Sequence, residues 1–178
     1  CVKLKHHSVV RSVTMINLDL FFIFISFSED ETVSFFKDYN MYIQHCVAEY
    51  PCKDTNLRLG NIPILIKNFK TDKIKIGYSG HEEGILPSLA AIKLGAEVVE
   101  RHFAISRDSF VHHIECSLTG EEFKDLVTKS KEENLDSLID NLNVKAFDSH
   151  FGMTNMEESF LLNSQYGKDY IKDKYTTK

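Results

Sequence analysis

The sequence predicts an α/β fold built on a parallel sheet, and three observations predict it. Four short apolar runs alternate with four helix-like stretches. Successive runs begin roughly 23 to 32 residues apart, the repeat of a βαβ unit. Crossovers of that kind are right-handed and leave their strands parallel in one sheet. At 178 residues the chain suits a single domain. A complete eight-fold β/α barrel takes about 200–250 residues, so a barrel pattern here belongs to an incomplete barrel.

Each element has its own reason. Residues 1–15 show no clear period and stay unassigned. Residues 18–26 are an almost unbroken Phe/Ile run, which suits a strand covered on both faces. Ser28 with Glu31 three positions on is a capping box, and Val33, Phe35 and Phe36 give the helix it opens an apolar side. Residues 41–47 form the second strand, before a polar loop with Pro51. Residues 57–69 read as helix in spite of Gly60 and Pro63. Residues 73–78 alternate Lys and Ile before Gly77 and make the third strand. Residues 85–94 read as a helix closed by Gly95, and 96–103 as the fourth strand. Thr119 and Glu122 form a second capping box for a helix over 119–131, with Phe123, Leu126 and Val127 on one face. Beyond about residue 143 the pattern fades. The expected organisation is 1–15 unassigned, 16–145 the α/β unit, and 146–178 a polar linker or tail.

Composition removes some functions. Apolar residues make up 43% and charged residues 26%, the balance of an ordinary folded protein. The formal charge of −5 is spread along the chain without a polybasic block, so nucleic acid is not an expected partner. The apolar run at 20–27 is broken by Ser26 and falls short of the ~20 residues of a membrane crossing. With Lys3, Lys5 and Arg11 before it this run mimics a signal peptide, but no small-residue cleavage site follows, and a buried strand is the preferred reading. No membrane partner is expected. Cys1, Cys46, Cys52 and Cys116 form no CxxC pair, which points to reduced thiols and a cytoplasmic location. The initial Cys in place of Met suggests a fragment.

In parallel α/β folds chemistry gathers at the carboxyl ends of the strands. There the third strand delivers Ser79 and His81, and the fourth delivers Glu100 and His102. Neighbouring parallel strands lie ~4.8 Å apart, so imidazoles at one height could share a divalent ion. The plainer reading is two polar histidines satisfied in loops. Glu100, two residues before His102, shares its side of the strand and suits a general base or a rim ion pair. Ser79 between glycines suits a phosphate contact or an ordinary turn. His6-His7 and His112-His113 are adjacent pairs that point to opposite faces, and both read as solvated. Glu82-Glu83 reads as a charged loop before a helix N-terminus.

These stretches also carry a family resemblance. HCVAEYP at 45–51, NLRL at 56–59, IGYSGHE at 76–82, AAIKLGA at 90–96, VERHF at 99–103 and SL at 117–118 followed by EEFK at 121–124 resemble consecutive blocks of the sialic acid (N-acetylneuraminate) synthase family. GYSGHE with VERHF is highly specific. The resemblance implies the last four units of a (β/α)8 TIM barrel. It implies an enzyme that condenses phosphoenolpyruvate with an N-acyl-mannosamine-type sugar to a nonulosonic acid. It implies His81 and His102 as ligands of a divalent metal, Mn2+ or Mg2+, Ser79 on the phosphate of phosphoenolpyruvate, Glu100 as the catalytic carboxylate, and Tyr50 near the sugar. The segment at 111–114, VHHI, stands where the family carries a Gly-Pro-Asp-His-like stretch, which puts His113 in the place of its sugar-holding Asp. Val47 and Ala48 replace polar residues of many members. The first four barrel strands, with their phosphate-neutralising lysines, and the antifreeze-like domain are not recognisable. The chain by itself is therefore expected to be inactive. Open sheet edges on both sides imply a partner, in a homo-oligomer or as the missing barrel half. Two other readings stand beside this one: a non-catalytic half-barrel that binds a partner chain or a sugar phosphate, and a different metal-dependent aldol-type barrel enzyme.

Overall fold

The computed structural model describes residues 10–17, 20–25, 38, 40–132 and 134–163. Five strands form one sheet in sequence order: β1 (Val10–Asn17), β2 (Leu20–Ile25), β3 (Asn40–Cys46), β4 (Ile74–Gly80) and β5 (Val98–Arg101). From β2 to β5 every pairing is parallel, and Ile23, Ile43 and Ile76 stand in one row across the sheet. The α/β class and the four strands read from the sequence are therefore present. The helix expected from Ser28 lies outside the described residues. One feature is additional. β1 pairs antiparallel with β2 and covers an edge expected to be open.

The helices are α1 (Asn61–Phe69), α2 (Leu86–Lys93), α3 (Gly120–Lys129), α4 (Leu135–Ile139) and α5 (Asn155–Asn163). One face of the sheet packs on α1 and α2. Met41, Ile43, Ile74, Ile76 and Tyr78 are buried there against Ile62, Leu65, Phe69, Ala90 and Ala91. Each large side chain so buried contributes on the order of 1.5–3 kcal/mol. A second cluster, built around Leu89, Leu118, Leu126 and Leu135, ties α2 to α3 and α4. The capping box of α3 forms as expected: Glu122 N–H donates to Thr119 Oγ1, and Thr119 N–H to Glu122 Oε2 at 2.8 Å. Gly95 closes α2 at φ +101°, with Gly95 N–H on Ile92 O and Ala96 N–H on Ala91 O, the double bond of a Schellman ending.

Two boundaries differ from the sequence reading, each for a tertiary reason. α1 begins at Asn61 and not at 57, because Asp54–Asn56 form a 3-10 turn and Arg58 is left-handed at φ 52°. Leu59 N–H then donates to Ala146 O at 2.7 Å. A side chain at Gly60 would stand 2.4 Å from Phe147 O. The fourth strand is cut to four residues at both ends: Ala96 N–H still closes α2 on Ala91 O, and beyond Arg101 the backbone pairs with Leu118, whose N–H donates to His102 O and whose O accepts from Ala104 N–H. The segment from 146, read as linker or tail, holds the buried Ala146, a 3-10 turn at Val144–Phe147 and α5. No helix among the described residues is long and apolar enough to cross a membrane.

His45 lies on the helix-facing side of β3 and is almost fully buried. Its Nε2–H donates to Leu57 O at 2.7 Å, and burial pushes its pKa down to about 4. The unfolded chain binds that proton near pH 6.5 and the folded chain does not, so this contribution is complete above pH 6.5 and fades as pH falls toward 4. Urea titrations at pH 7 and pH 5 should show a loss of about 2 kcal/mol from this group alone. His45→Gln should lose correspondingly less over the same interval.

Candidate functional site

Strand alternation places Gln44, Ser79 and Glu100 on the sheet face opposite α1 and α2. Glu100 joins the three strands there. Its Oε1 accepts from Ser79 Oγ and its Oε2 from Gln44 Nε2, both at 3.3 Å. Gly77 lies in the same row beneath Gln44 and Val98, where an added Cβ would stand 2.4 Å from Val98 Cγ1. Only glycine fits. Glu100 remains exposed, so its carboxylate is open to solvent from that face.

His81 and His102 follow directly on the ends of β4 and β5, and their rings meet edge to face with centroids 5.3 Å apart. The Tyr50 ring, from the loop after β3, lies 4.2 Å from both the His81 and the His113 rings. His113 in turn is 5.6 Å from His102. The four rings form one cluster, which brings together the residues read as metal- and sugar-binding. The reading of His113 as solvated is corrected here. A left-handed backbone at φ 61° turns its half-buried ring inward onto Tyr50, while His112 is exposed. A cleft of about 580 Å3 lined by Glu49, Lys53, Asn56, Arg58 and the start of α5 opens elsewhere and shares none of these rings.

His81 Nδ1–H donates to Val47 O at 2.8 Å, and Cys46 Sγ is 4.0 Å from the same nitrogen. Burial, more than the nearby His102 and Arg101, pushes its pKa down to about 4. Near neutral pH the ring is uncharged and keeps its lone pair on Nε2. Burial, and then the adjacent His113, also lowers the pKa of His102. A neutral imidazole is the donor type that a divalent transition-metal ion takes. With about 2.1 Å from nitrogen to ion, ring centres around one ion stand on the order of 4.6–5.3 Å apart at angles of about 90–110°, and the observed separation falls at the top of that range. Among the described residues no three His, Cys, Asp or Glu side chains form a metal-holding group. Two imidazoles would leave the other coordination positions to water and substrate, as a Lewis-acid site requires.

Below the rings is an ion pair that the sequence reading missed. Glu82 is not a solvated loop charge. Its side chain is 1% exposed and meets the wholly buried Arg101 guanidinium at 2.8 Å. Tyr78 Oη donates to Glu82 Oε2 at 2.7 Å and Ser88 Oγ to Oε1 at 2.9 Å. Arg101 also donates to the carbonyls of Glu82, Gly84 and Cys116. Glu157 was missed as well. It is buried, accepting from Ala48 N–H at 2.8 Å and Thr154 N–H at 2.7 Å. The spacing Thr154-Asn155-Met156-Glu157 is a capping box, a signal present in the sequence.

A parallel sheet with imidazoles, a serine and a carboxylate at its strand ends belongs to the (β/α)-barrel class of folds. The comparisons agree, and the chain belongs to the NeuB family, whose profile matches residues 26–137. It is 41% identical over 86 residues to N-acetylneuraminate-9-phosphate synthase of Drosophila melanogaster, covering 48% of this chain and 23% of that protein. It is 36% identical over 96 residues to N,N'-diacetyllegionaminic acid synthase of Campylobacter jejuni, covering 54% of this chain and 28% of that one. The crystal structure of the spore coat polysaccharide biosynthesis protein SpsE from Bacillus subtilis superposes with a TM-score of 0.60 at 27% identity, over 76% of this chain and 41% of that chain. The sheet is thus a partial TIM barrel, and the chain spans about a quarter of the length of the curated relatives it matches first.

The buried ion pair sets a stability test. Arg101→Met strands the Glu82 carboxylate and should cost about 3–5 kcal/mol in urea unfolding. The double change Glu82→Gln, Arg101→Met should recover part of that loss, because neither charge then stays buried alone.

Proposed function

We propose that this chain supplies the metal- and phosphate-binding half of a NeuB-type synthase. The reaction joins C3 of phosphoenolpyruvate to the aldehyde carbon of an open-chain N-acyl-mannosamine-type sugar. Water adds at C2, and phosphate leaves by C–O cleavage to give a nonulosonic acid. The convergence of the His81 and His102 rings at 5.3 Å, with the Nε2 lone pair of His81 unprotonated, carries the reading. The names of the synthases that the chain resembles support it.

His81 and His102 would hold a divalent ion, Mn2+ or Mg2+. When bound, such an ion supplies fixed positive charge beside the carbonyl on which an alkoxide develops. Ser79 donates to Glu100 in the free site and would turn that hydroxyl toward the phosphate. Glu100, exposed at the mouth, would take the proton of the attacking water. Tyr50 and His113 would hold the sugar. A second reading draws on the stack of His113 against Tyr50, where the family's sugar-holding Asp stands. Under it the half-barrel binds a sugar phosphate or a partner chain without turnover.

Mn2+ titration followed by electron paramagnetic resonance should show binding to the chain. His81→Ala and His102→Ala should each weaken it by at least about tenfold. Supplied with the first half of a NeuB-family barrel, the chain should release phosphate from phosphoenolpyruvate only when an N-acyl-mannosamine-type sugar is present. Ion binding without phosphate release favours the second reading, and ion affinity unchanged in both variants removes the metal site.

A further inference from the structure

Val47 C=O and Ala48 N–H belong to one peptide unit, and both ends of it are engaged. The carbonyl accepts from His81 Nδ1 at 2.8 Å, and the N–H donates to Glu157 Oε1 at 2.8 Å. A buried side chain of the C-terminal segment is thereby linked, through a single peptide, to the imidazole that faces His102. The other carboxylate oxygen of Glu157 accepts from Thr154 N–H, so its orientation is set by the first turn of α5. A carboxylate on the N–H side of a peptide draws the amide dipole into line and makes the carbonyl at the other end a stronger acceptor. A stronger acceptor at Val47 keeps the His81 proton on Nδ1 and the lone pair on Nε2. Metal-bound histidines use an outer partner in this way, receiving the second ring N–H on a carboxylate or a backbone carbonyl. In this chain the two kinds of partner are connected in series.

We propose that Glu157 is a positioning residue for His81, acting through the Val47–Ala48 peptide to fix its tautomer and ring orientation for a divalent cation. The proposal rests on the reading of His81 as a ligand, and residues 144–163 then belong to the site. It also accounts for the way this segment docks. Ala146 O receives Leu59 N–H, His150 O receives Asn61 Nδ2 and Gly152 O receives Arg58, so the approach of α5 to the loop after β3 is held at three further points.

The test is nitrogen-15 NMR of the histidine side chains in the full chain, with His81→Ala assigning the resonance, alongside Mn2+ titration. In the unaltered protein His81 should be a single Nδ1–H tautomer. Glu157→Ala should mix the tautomers and weaken Mn2+ binding by about 10-fold or more. Glu157→Gln, which keeps an oxygen for Ala48 and removes the charge, should fall between the two and preserves a reading where the alanine variant does not fold. A purely structural Glu157 would lower the melting temperature and leave tautomer and folded-state affinity unchanged, and that result in Glu157→Gln and any folded Glu157→Ala overturns the proposal. The two readings fail separately. Tautomer mixing in a chain that never binds Mn2+ upholds the positioning and rejects the metal. Mn2+ bound through His81 with a tautomer indifferent to position 157 does the reverse.

Discussion

The site depends on one buried ion pair. Glu82 and Arg101 stand next in sequence to His81 and His102, and their 2.8 Å contact is closed off from water on both sides. Burying two charges is costly, and the cost is met only where geometry is good and the remaining polar atoms find partners. Tyr78 and Ser88 satisfy Glu82, and Ser88 with three backbone carbonyls engages the two terminal nitrogens of Arg101, while its Nε stays without a partner among the described residues. The result is a clamp across the ends of β4 and β5. Strand alternation sends the charged side chains inward toward the helices and the neighbouring imidazoles outward to the mouth. The distance between the two rings is therefore set from beneath, by residues that touch no ligand.

A second constraint comes from the opposite end of the chain. The loop after β3 carries Tyr50, which packs on His81, and the peptide that receives the His81 proton. That loop is tied to α5 by Glu157 and to the turn at 144–147 by Leu59. The mouth is thus held between a charged clamp on one side and a docked C-terminal segment on the other. Burial lowers the pKa of both imidazoles, that of His81 to about 4. The His81 and His102 rings share that mouth with the Glu100 carboxylate, which stays open to solvent.

The family blocks lie at these points of the structure for a physical reason. GYSGHE supplies the small residue that Val98 and Gln44 cover, the serine on Glu100, the imidazole and the buried acid, in four successive roles. VERHF supplies the carboxylate, the buried base and the second imidazole in the same alternation. Each motif carries both an imidazole of the mouth and its buried support, so each is more specific than any single residue it contains.

The sequence by itself determined the alternation of strands and helices, the parallel sheet, the ending of α2 at Gly95 and the capping box at Thr119, because these follow from period, cap chemistry and backbone freedom within a few residues. It also placed Ser79, His81, Glu100 and His102 at strand ends. Tertiary structure alone decided what those side chains meet. Glu82 and Arg101 are nineteen positions apart, and no local pattern distinguishes a glutamate that will be buried from one that stays in water. His113 reads as solvated until a left-handed backbone turns it onto Tyr50. Glu157 had a legible cap, yet its bond to Ala48 spans 109 positions, and only packing brings a carboxylate of a polar C-terminal segment onto the peptide that faces His81. Local order was written in neighbouring residues, while the chemistry of the mouth depends on contacts made when distant segments close on one another.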